Sequence, residues 1–499
     1  MTHSTSGKAD MKLFWACFIA LVATSFVFGV RSTLIGDIAN EFNLSQGDKG
    51  RILGVGLWPF ALSIIVFSLI IDRIGYKVAA CFAILGHFLA IGMTLLARPD
   101  NDLLYWGTFT VAIANGTVEA LINPVVATLF NKDKAKWLNI LHAGWPAGIA
   151  LGSIFTMLLG DMSWQMKFGM CLMPVVIYTL LILPRQFPVN ERVAAGVSFR
   201  EMLAEFGAFG FFMFTGLLVM AIYQAGDHAA NWTVVFSTAA AVAVIAGIYT
   251  ASLGRPMFVL ILITMPFLAT TELGTDTWMP DLLSLELGKA AAWILVYTSV
   301  IMTLLRSCAG PIVHRLSPIG LLVVSAIVAI VGLLLMQGAT GWSIVAVATL
   351  YAFGKTFLWS TTLGMVSEQF PRGGALSLNG VSAIAVLGMG VVGAPLMGIW
   401  QDTDIDRTLR EKHPAIHQVV KGKDVVNIVG TAPTINGDAV KQLPEADAKT
   451  VQLVQNEFKK KTFGRTALLP CFMLACYISL FLYFRSKGGY KPVDIAAAH

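Results

Sequence analysis

The stretch YWGTFTVAIANGTVEALINPVVATLF, Tyr105 to Phe130, decides the fold class. It is long and apolar enough to cross a bilayer as one helix, which takes about 20 residues. Glu119, Asn123 and Pro124 interrupt it beyond its midpoint. An ionisable group at that depth is costly, so a carboxylate there faces a cavity or a partner rather than lipid. A proline in the span frees backbone groups that only neighbouring helices or a cavity can satisfy. These residues predict a helix that lines a polar path through a membrane. The competing reading is a carboxylate paired off inside a helical bundle for packing alone.

Composition extends the reading to the whole chain. Hydrophobic residues make up 56% and charged residues 13%, with a mean hydropathy of +0.72. Soluble globular domains carry about 25% charged residues, so an all-α polytopic membrane protein is expected. The net charge of +6 does not indicate a nucleic-acid partner. Most Lys and Arg fall in short loops and tails, among them Lys132, Lys134, Lys136, Arg185, Arg192, Arg200, Arg485 and Lys487. That asymmetry places both termini in the cytoplasm by the positive-inside rule. A plasma membrane, the inner one in a bacterium, is the expected location. All six cysteines lie in apolar spans, which argues against a disulfide framework or a cysteine metal site. The apolar run after Lys12 is longer than a signal-peptide core and reads as a retained first helix.

Hydropathy windows give about fourteen candidate spans. They fall near 13–38, 50–71, 77–97, 104–130, 138–160, 165–183, 207–224, 232–252, 257–283, 290–313, 318–337, 342–364, 376–400 and 465–484. The expected division is an N-terminal six-helix half (1–183), a cytoplasmic linker with two extra transmembrane helices (184–252), and a C-terminal six-helix half (253–499). The last contains one polar excursion at 401–464, a small folded cap or a mobile extracytoplasmic loop, with its few aromatics favouring the loop. An internal echo supports two halves: FSLIIDRIGYK, Phe67 to Lys77, ends one span, and CAGPIVHRLSP, Cys308 to Pro318, ends another. Duplicated halves with sites at their interface are the logic of secondary transporters.

The run Asp72-Arg73-Ile74-Gly75-Tyr76-Lys77 resembles the loop between the second and third helices of the major facilitator superfamily. The glycine that family carries four residues before the aspartate is Ser68 here, and Gly310 holds the place in the second half. EQFPRGGALSLNG and PLMGIWQD are similar to that family's tenth-to-eleventh helix region. Within the superfamily, VEALINPVVATLF followed by LNILHAGWPAG resembles the fucose–galactose–glucose:proton symporters. The resemblance implies that Glu119, with Asn123 and Pro124, contributes to proton coupling and sugar binding. Two positions depart from it: that family's first-helix aspartate falls near Ser32, beside Arg31, and its fifth-helix asparagine falls on Trp145, one turn after His142.

Other residues fill out an expected solute site. Asn115 lies one turn before Glu119. Lys355 sits mid-span in the second-half counterpart of the Glu119 helix, where it can pair with Glu119 or form a static salt bridge. Arg31 is the other cation, at the cavity or at the outer mouth. His142 titrates near neutral pH, so it is either a second proton site or a structural donor. Trp145 suits a sugar platform, since an aromatic face packs against pyranose C–H groups; packing between helices is the alternative. Glu272 and Asp276 share one helix face, on a helix that Gly274 and Pro280 allow to break. Trp359 is a further candidate. For gating, the loop of Asp72, Arg73, Gly75 and Lys77 is expected to dock the N-half onto the C-half, and Arg306 is expected to pair with Glu368 near the cytoplasmic end. Gly144, Gly148 and Gly152 recur every four residues and predict close helix packing.

The expected function is a solute carrier with alternating access, a proton symporter for a sugar or related compound. A carrier of amphipathic compounds and a transport-like receptor are the alternatives. No phosphate-binding loop or metal-ligand set points to a cofactor or an enzyme. Membrane lipid, a small-molecule solute and a coupling cation, H⁺, are the expected partners of a monomer.

Overall fold

The computed structural model describes residues 9–42, 44, 52, 54–226, 228–277, 279, 283, 287–422, 424–427 and 430–495. The N-terminal spans are α1 (Met11–Glu41), α2 (Trp58–Ile74), α3 (Tyr76–Leu95), α4 (Leu103–Leu129), α5 (Lys134–Leu158) and α6 (Trp164–Ile182). A short linker helix, α7 (Glu191–Ala194), precedes two inserted helices, α8 (Phe199–Ala225) and α9 (Trp232–Thr250). The second set comprises α10 (Pro256–Thr277), α11 (Ala291–Ser307), α12 (Ala309–Leu316), α13 (Pro318–Met336), α14 (Ser343–Gln369) and α15 (Pro371–Lys412). The chain then runs through α16 (Pro414–Val420), α17 (Gly437–Lys441) and α18 (Glu445–Ser486).

Among the described residues 12 helices are long and apolar enough to cross a membrane, and the bent pair Trp293–Ser307 and Ala309–Leu316 makes 13. The helix α2, only 17 residues long, matches the remaining expected span. Local chemistry sets the ends. Pro59 opens α2, and Gly75, at φ +85°, closes it where a side chain would be strained. Ser198 and Glu201 form a capping box that starts α8 well before its expected apolar run. That helix breaks at Gly207 (φ +69°), where an added Cβ would lie 2.2 Å from the Gly254 nitrogen. The chain ahead of α10 docks into the break through Ala208 N–H to Ser252 O, 3.0 Å, and Phe209 N–H to Leu253 O, 3.2 Å.

The glycine stripe of α5 packs on α1 as its spacing predicts. A Cβ on Gly148 would sit 2.0 Å from Ser25 Oγ, and one on Gly152 2.5 Å from the Phe26 carbonyl. The inserted pair lies at the side of the bundle: α8 packs on α15, while α9 buries only Val235, Ala239 and Thr250.

Segment 401–464 differs from the mobile loop that its composition favoured. The helix of the eleventh core span continues to Lys412, and α16, α17, the start of α18 and a hairpin of β1 (Val425–Asn427) and β2 (Gly430–Ala432) follow. Ile405, Leu409, Val420, Val451, Val454 and Phe458 form its own core. Aliphatic residues do there what the missing aromatics would have done. Asp404 accepts from Arg407 and Arg465, each at 2.6 Å, and staples the cap to the base of the last span. Below, "cap side" is the end of the bundle that carries this segment and "linker side" the end that carries α7.

Candidate solute site

The helical repeat places Asn115, Glu119 and Asn123 on one face of α4. Asn123 Nδ2 donates to Glu119 Oε1 and to Asn379 Oδ1, both at 3.1 Å. His142 Nε2, from α5, lies 3.0 Å from Asn123 Oδ1 and 3.9 Å from Glu119 Oε1. Asn115 Oδ1 is 2.7 Å from His87 Nε2, whose other ring nitrogen is 2.7 Å from the Tyr178 hydroxyl. With Nε2 as the donor to Asn115, Nδ1 accepts from Tyr178, and α3, α4 and α6 are joined by one chain of bonds.

The facing wall is built differently. α10 passes through a π-helical turn at Thr270–Gly274, against a second such turn at Met389–Gly393 in α15. Wide turns of this kind break the regular ladder and recur at functional sites. Glu272 lies in the first. Its Oε1 accepts from Arg306 Nη2 at 2.5 Å and its Oε2 from the Trp359 N–H at 3.0 Å. Arg306 is 1% exposed, and it also donates to the carbonyls of Thr356 (2.6 Å) and His142 (3.0 Å). Lys355 is fully buried and donates to Asp276 Oδ1.

Between the walls lies a cavity. Of the expected site residues Arg31, Asn115, Glu119, His142, Trp145, Glu272, Asp276 and Trp359 line it; Asn123 and Lys355 stand just behind the lining. Trp145 Nε1 is buried without a hydrogen-bond partner, and its ring lies 6.2 Å from that of Phe28. Arg31 is half-buried and makes no hydrogen bond or ion pair to any described residue.

Two expected pairings are overturned. Lys355 does not reach across to Glu119, because Asp276 on the adjacent helix of its own half takes the ammonium group. Arg306 does not pair with Glu368. The chain bends by 67° after Ser307 and continues as α12, and Arg306, just before the bend, is taken by Glu272. It joins the cavity lining instead. Glu368 accepts from the Ala135 N–H (3.0 Å) and the Tyr490 hydroxyl (2.7 Å). Pro280, the expected helix breaker, lies outside the described residues.

The gating loop makes no direct hydrogen bond or ion pair to the second half among the described residues. Asp72 binds Arg192 of α7 at 2.6 Å, and Arg73 stands over the Phe199 ring at 5.2 Å. The Arg192 stem packs beside Gly374, so the linker mediates the contact. Gly75 serves as the cap of α2, and Lys77 is exposed in the first turn of α3.

Every hydrogen bond between the halves, among the described residues, lies at the cavity floor or on the linker side. Asn379 donates to Ser68 Oγ (3.0 Å) and to the Ala120 carbonyl (3.1 Å), and Ser360 donates to Asn139 Oδ1 (2.6 Å). Farther out, Lys134 donates to the Ser367 carbonyl (3.2 Å), and His314 meets Asp133 at 3.1 Å. Among the described residues the halves are latched below the cavity and carry no such bond above it. Sequence reasoning gave no role to His87, Asn139 or Arg192. The first two are polar residues within apolar spans, a signal that marks them; Arg192 sits in a polar linker and carries no such mark.

The sequence matches the profile of the Major Facilitator Superfamily over residues 16–395. A stretch of 190 residues is 24% identical to protein spinster homolog 1 of Rattus norvegicus and spans 36% of either chain. Among solved structures, a bacterial homolog of the human lysosomal transporter Spinster, inward-facing and unoccupied, superposes with a TM-score of 0.61 at 14% identity. The match covers 98% of this chain and 100% of that one. The E. coli fucose:proton symporter gives 0.56 at 14% identity, covering 92% and 99%. At these identities the structures speak for the fold.

Proposed function

Because the chain belongs to the Major Facilitator Superfamily, an integral membrane family of transporters rather than enzymes, we propose that it is a proton-coupled secondary carrier. An organic solute occupies the cavity, and Glu119 carries the proton. The reading rests on one observation: among the carboxyl groups lining the cavity, Glu119 meets the Asn123 amide and the His142 imidazole and no Lys or Arg among the described residues, while Glu272 and Asp276 each hold a cation. A carboxylate without a fixed counter-ion is free to alternate between charged and protonated forms. As a carboxylate it accepts the Asn123 amide, and the same amide nitrogen donates to Asn379 in the other half. Protonation removes the negative charge that orients Asn123 and thereby loosens a cross-half bond. Proton loading and release of the latch are coupled through this one side chain. The linker side faces the cytoplasm, at the plasma membrane, and the latched state is open or occluded toward the outside.

Sugar symport is the second reading. It is favoured by Trp145, whose unpartnered indole N–H and flat ring suit a hydroxylated ring, and by the likeness to the fucose:proton symporter. Counterflow and pH-driven uptake of a sugar panel in proteoliposomes test both steps. For a transported solute, Glu119→Gln is expected to retain exchange and lose accumulation. Accumulation that persists in Glu119→Gln removes Glu119 as the proton carrier.

A further inference from the structure

Three cations stand at or beside the cavity, and the chain answers two of them. Arg306 is held by Glu272, and Lys355 by Asp276. Arg31, on α1 near the mouth of α5, has no acceptor among the described residues. A guanidinium removed from bulk water without an acceptor is unfavourable, and its rigid fork matches a carboxylate in two parallel hydrogen bonds. Polar side chains line the cavity, but most of them are already engaged with one another, and most of the surface the walls expose is apolar. Phe28, Leu57, Phe60, Val111, Ile149 and Met389 supply apolar surface around the cation. A sugar presents hydroxyls in every direction and would leave most of them facing carbon; a molecule with one charged end and an apolar body would not.

A neighbouring pocket adds a second observation. It lies between the inserted helix α8 and the core, lined by Trp58, Ala221, Gln224 and Gly390, and it shares Leu57 and Val386 with the central cavity. The two pockets therefore share a wall of Leu57 and Val386, and the second lies against the inserted helix α8.

We infer that the cavity takes an amphipathic organic anion, with its carboxylate on Arg31 and its apolar body against Phe28, Trp145 and the Leu57–Phe60 wall. The inference rests on the reading of this cavity as the solute site and names the class of solute. It also gives the charge balance of the loaded carrier. The ligand anion matches Arg31, and a proton on Glu119 removes the other unmatched charge, so the moving unit crosses the low-dielectric barrier with its buried charges paired.

The test uses the full-length protein and radiolabelled 2-naphthoate, with 2-naphthamide as a neutral isostere. In scintillation proximity binding, naphthoate is expected to bind saturably and to be displaced by unlabelled naphthoate about tenfold more tightly than by the amide. Arg31→Gln is expected to weaken naphthoate binding by about tenfold and to erase the preference over the amide, while Arg31→Lys keeps part of it. Equal displacement by the amide, an unchanged preference in Arg31→Gln, or no saturable binding to the wild type overturns the inference. If Arg31→Gln does not fold, the wild-type comparison of acid and amide decides by itself. Counterflow of the same label in proteoliposomes separates the two readings. Anion-selective binding without counterflow retires the carrier and keeps the anion site; counterflow that accepts the amide equally keeps the carrier and retires the anion site.

Discussion

On the wall formed by α10, α11 and α14, each carboxylate that lines the cavity meets a cation, whereas on the wall formed by α4 and α5 Glu119 meets an amide and an imidazole. The two walls face one cavity and are built from comparable spans, yet they treat charge in opposite ways. A compensated pair is fixed in composition, since losing either charge strands the other. An acid held by neutral groups tolerates a change of protonation. The second-half wall therefore holds the architecture, and the first-half wall is the one that can respond to a proton.

The largest effect is expected where the compensated wall is broken. Arg306→Met leaves Glu272 without its cation and two carbonyls without their donor. Removing one partner of a buried pair costs about 3–5 kcal/mol, enough to remove most of the monodisperse protein from a size-exclusion trace. Adding Glu272→Gln to Arg306→Met is expected to recover a substantial part of it. A single variant that behaves like wild type would show that the pair is not structural.

Next in size is the second pair. Lys355→Met strands Asp276, which retains contact with the cavity and so with water. The loss of thermal stability is expected to be smaller than for Arg306→Met and to be reversed by Asp276→Asn in the same chain. Glu119→Gln sharpens the contrast, because a glutamine carbonyl still accepts from the Asn123 amide, more weakly for want of the carboxylate's charge, and leaves no buried cation stranded. Its unfolding midpoint is expected to stay closest to wild type of the three, even as proton-driven accumulation fails. A large destabilisation by Glu119→Gln would make the two walls alike and end the comparison.

The same contrast explains what the sequence discloses. Fourteen apolar runs, the glycine stripe on α5 and the polar face of α4 are periodic, and periodicity survives folding, so spans and cavity-lining candidates were legible. Asn115, Glu119, His142 and Trp145 line the cavity, and their side-chain chemistry and the family resemblance marked them along with their spacing. Pairing between helices is not periodic. Whether Lys355 meets Glu119 or Asp276 depends on the relative depth and rotation of three helices. Arg306 meets Glu272 at the cavity instead of Glu368 at the expected inner gate, a pairing that no spacing along one helix reveals. At 401–464 the sequence leaves a folded cap and a mobile loop both open, because the core there is small and mostly aliphatic, with Phe458 its one aromatic, under charged helix surfaces that read as loop.

The smallest expected effect lies at the latch, where the contrast between the walls gives way to a balance between states. Arg192 joins Asp72 to the linker and packs beside Gly374, so it holds the linker side shut through one ion pair at the bundle's edge. The pair is largely buried, but a glutamine amide at position 192 can still donate to Asp72, so the substitution is expected to shift the conformational equilibrium by about 1 kcal/mol, or about fivefold in population. Ser367 is buried beneath this latch, beside Lys134. A cysteine there reports opening when the exposed Cys308 and Cys471 are replaced by serine. In Arg192→Gln, labelling of that cysteine by a membrane-impermeant maleimide applied to inverted vesicles is expected to rise by about fivefold. Combining it with Glu119→Gln asks whether the proton site and the latch act on the same equilibrium. If Asn123 couples them, the two variants change labelling by less than, or more than, the product of their separate effects. If the effects multiply, Glu119 and the latch are independent, and the link through Asn379 carries no coupling.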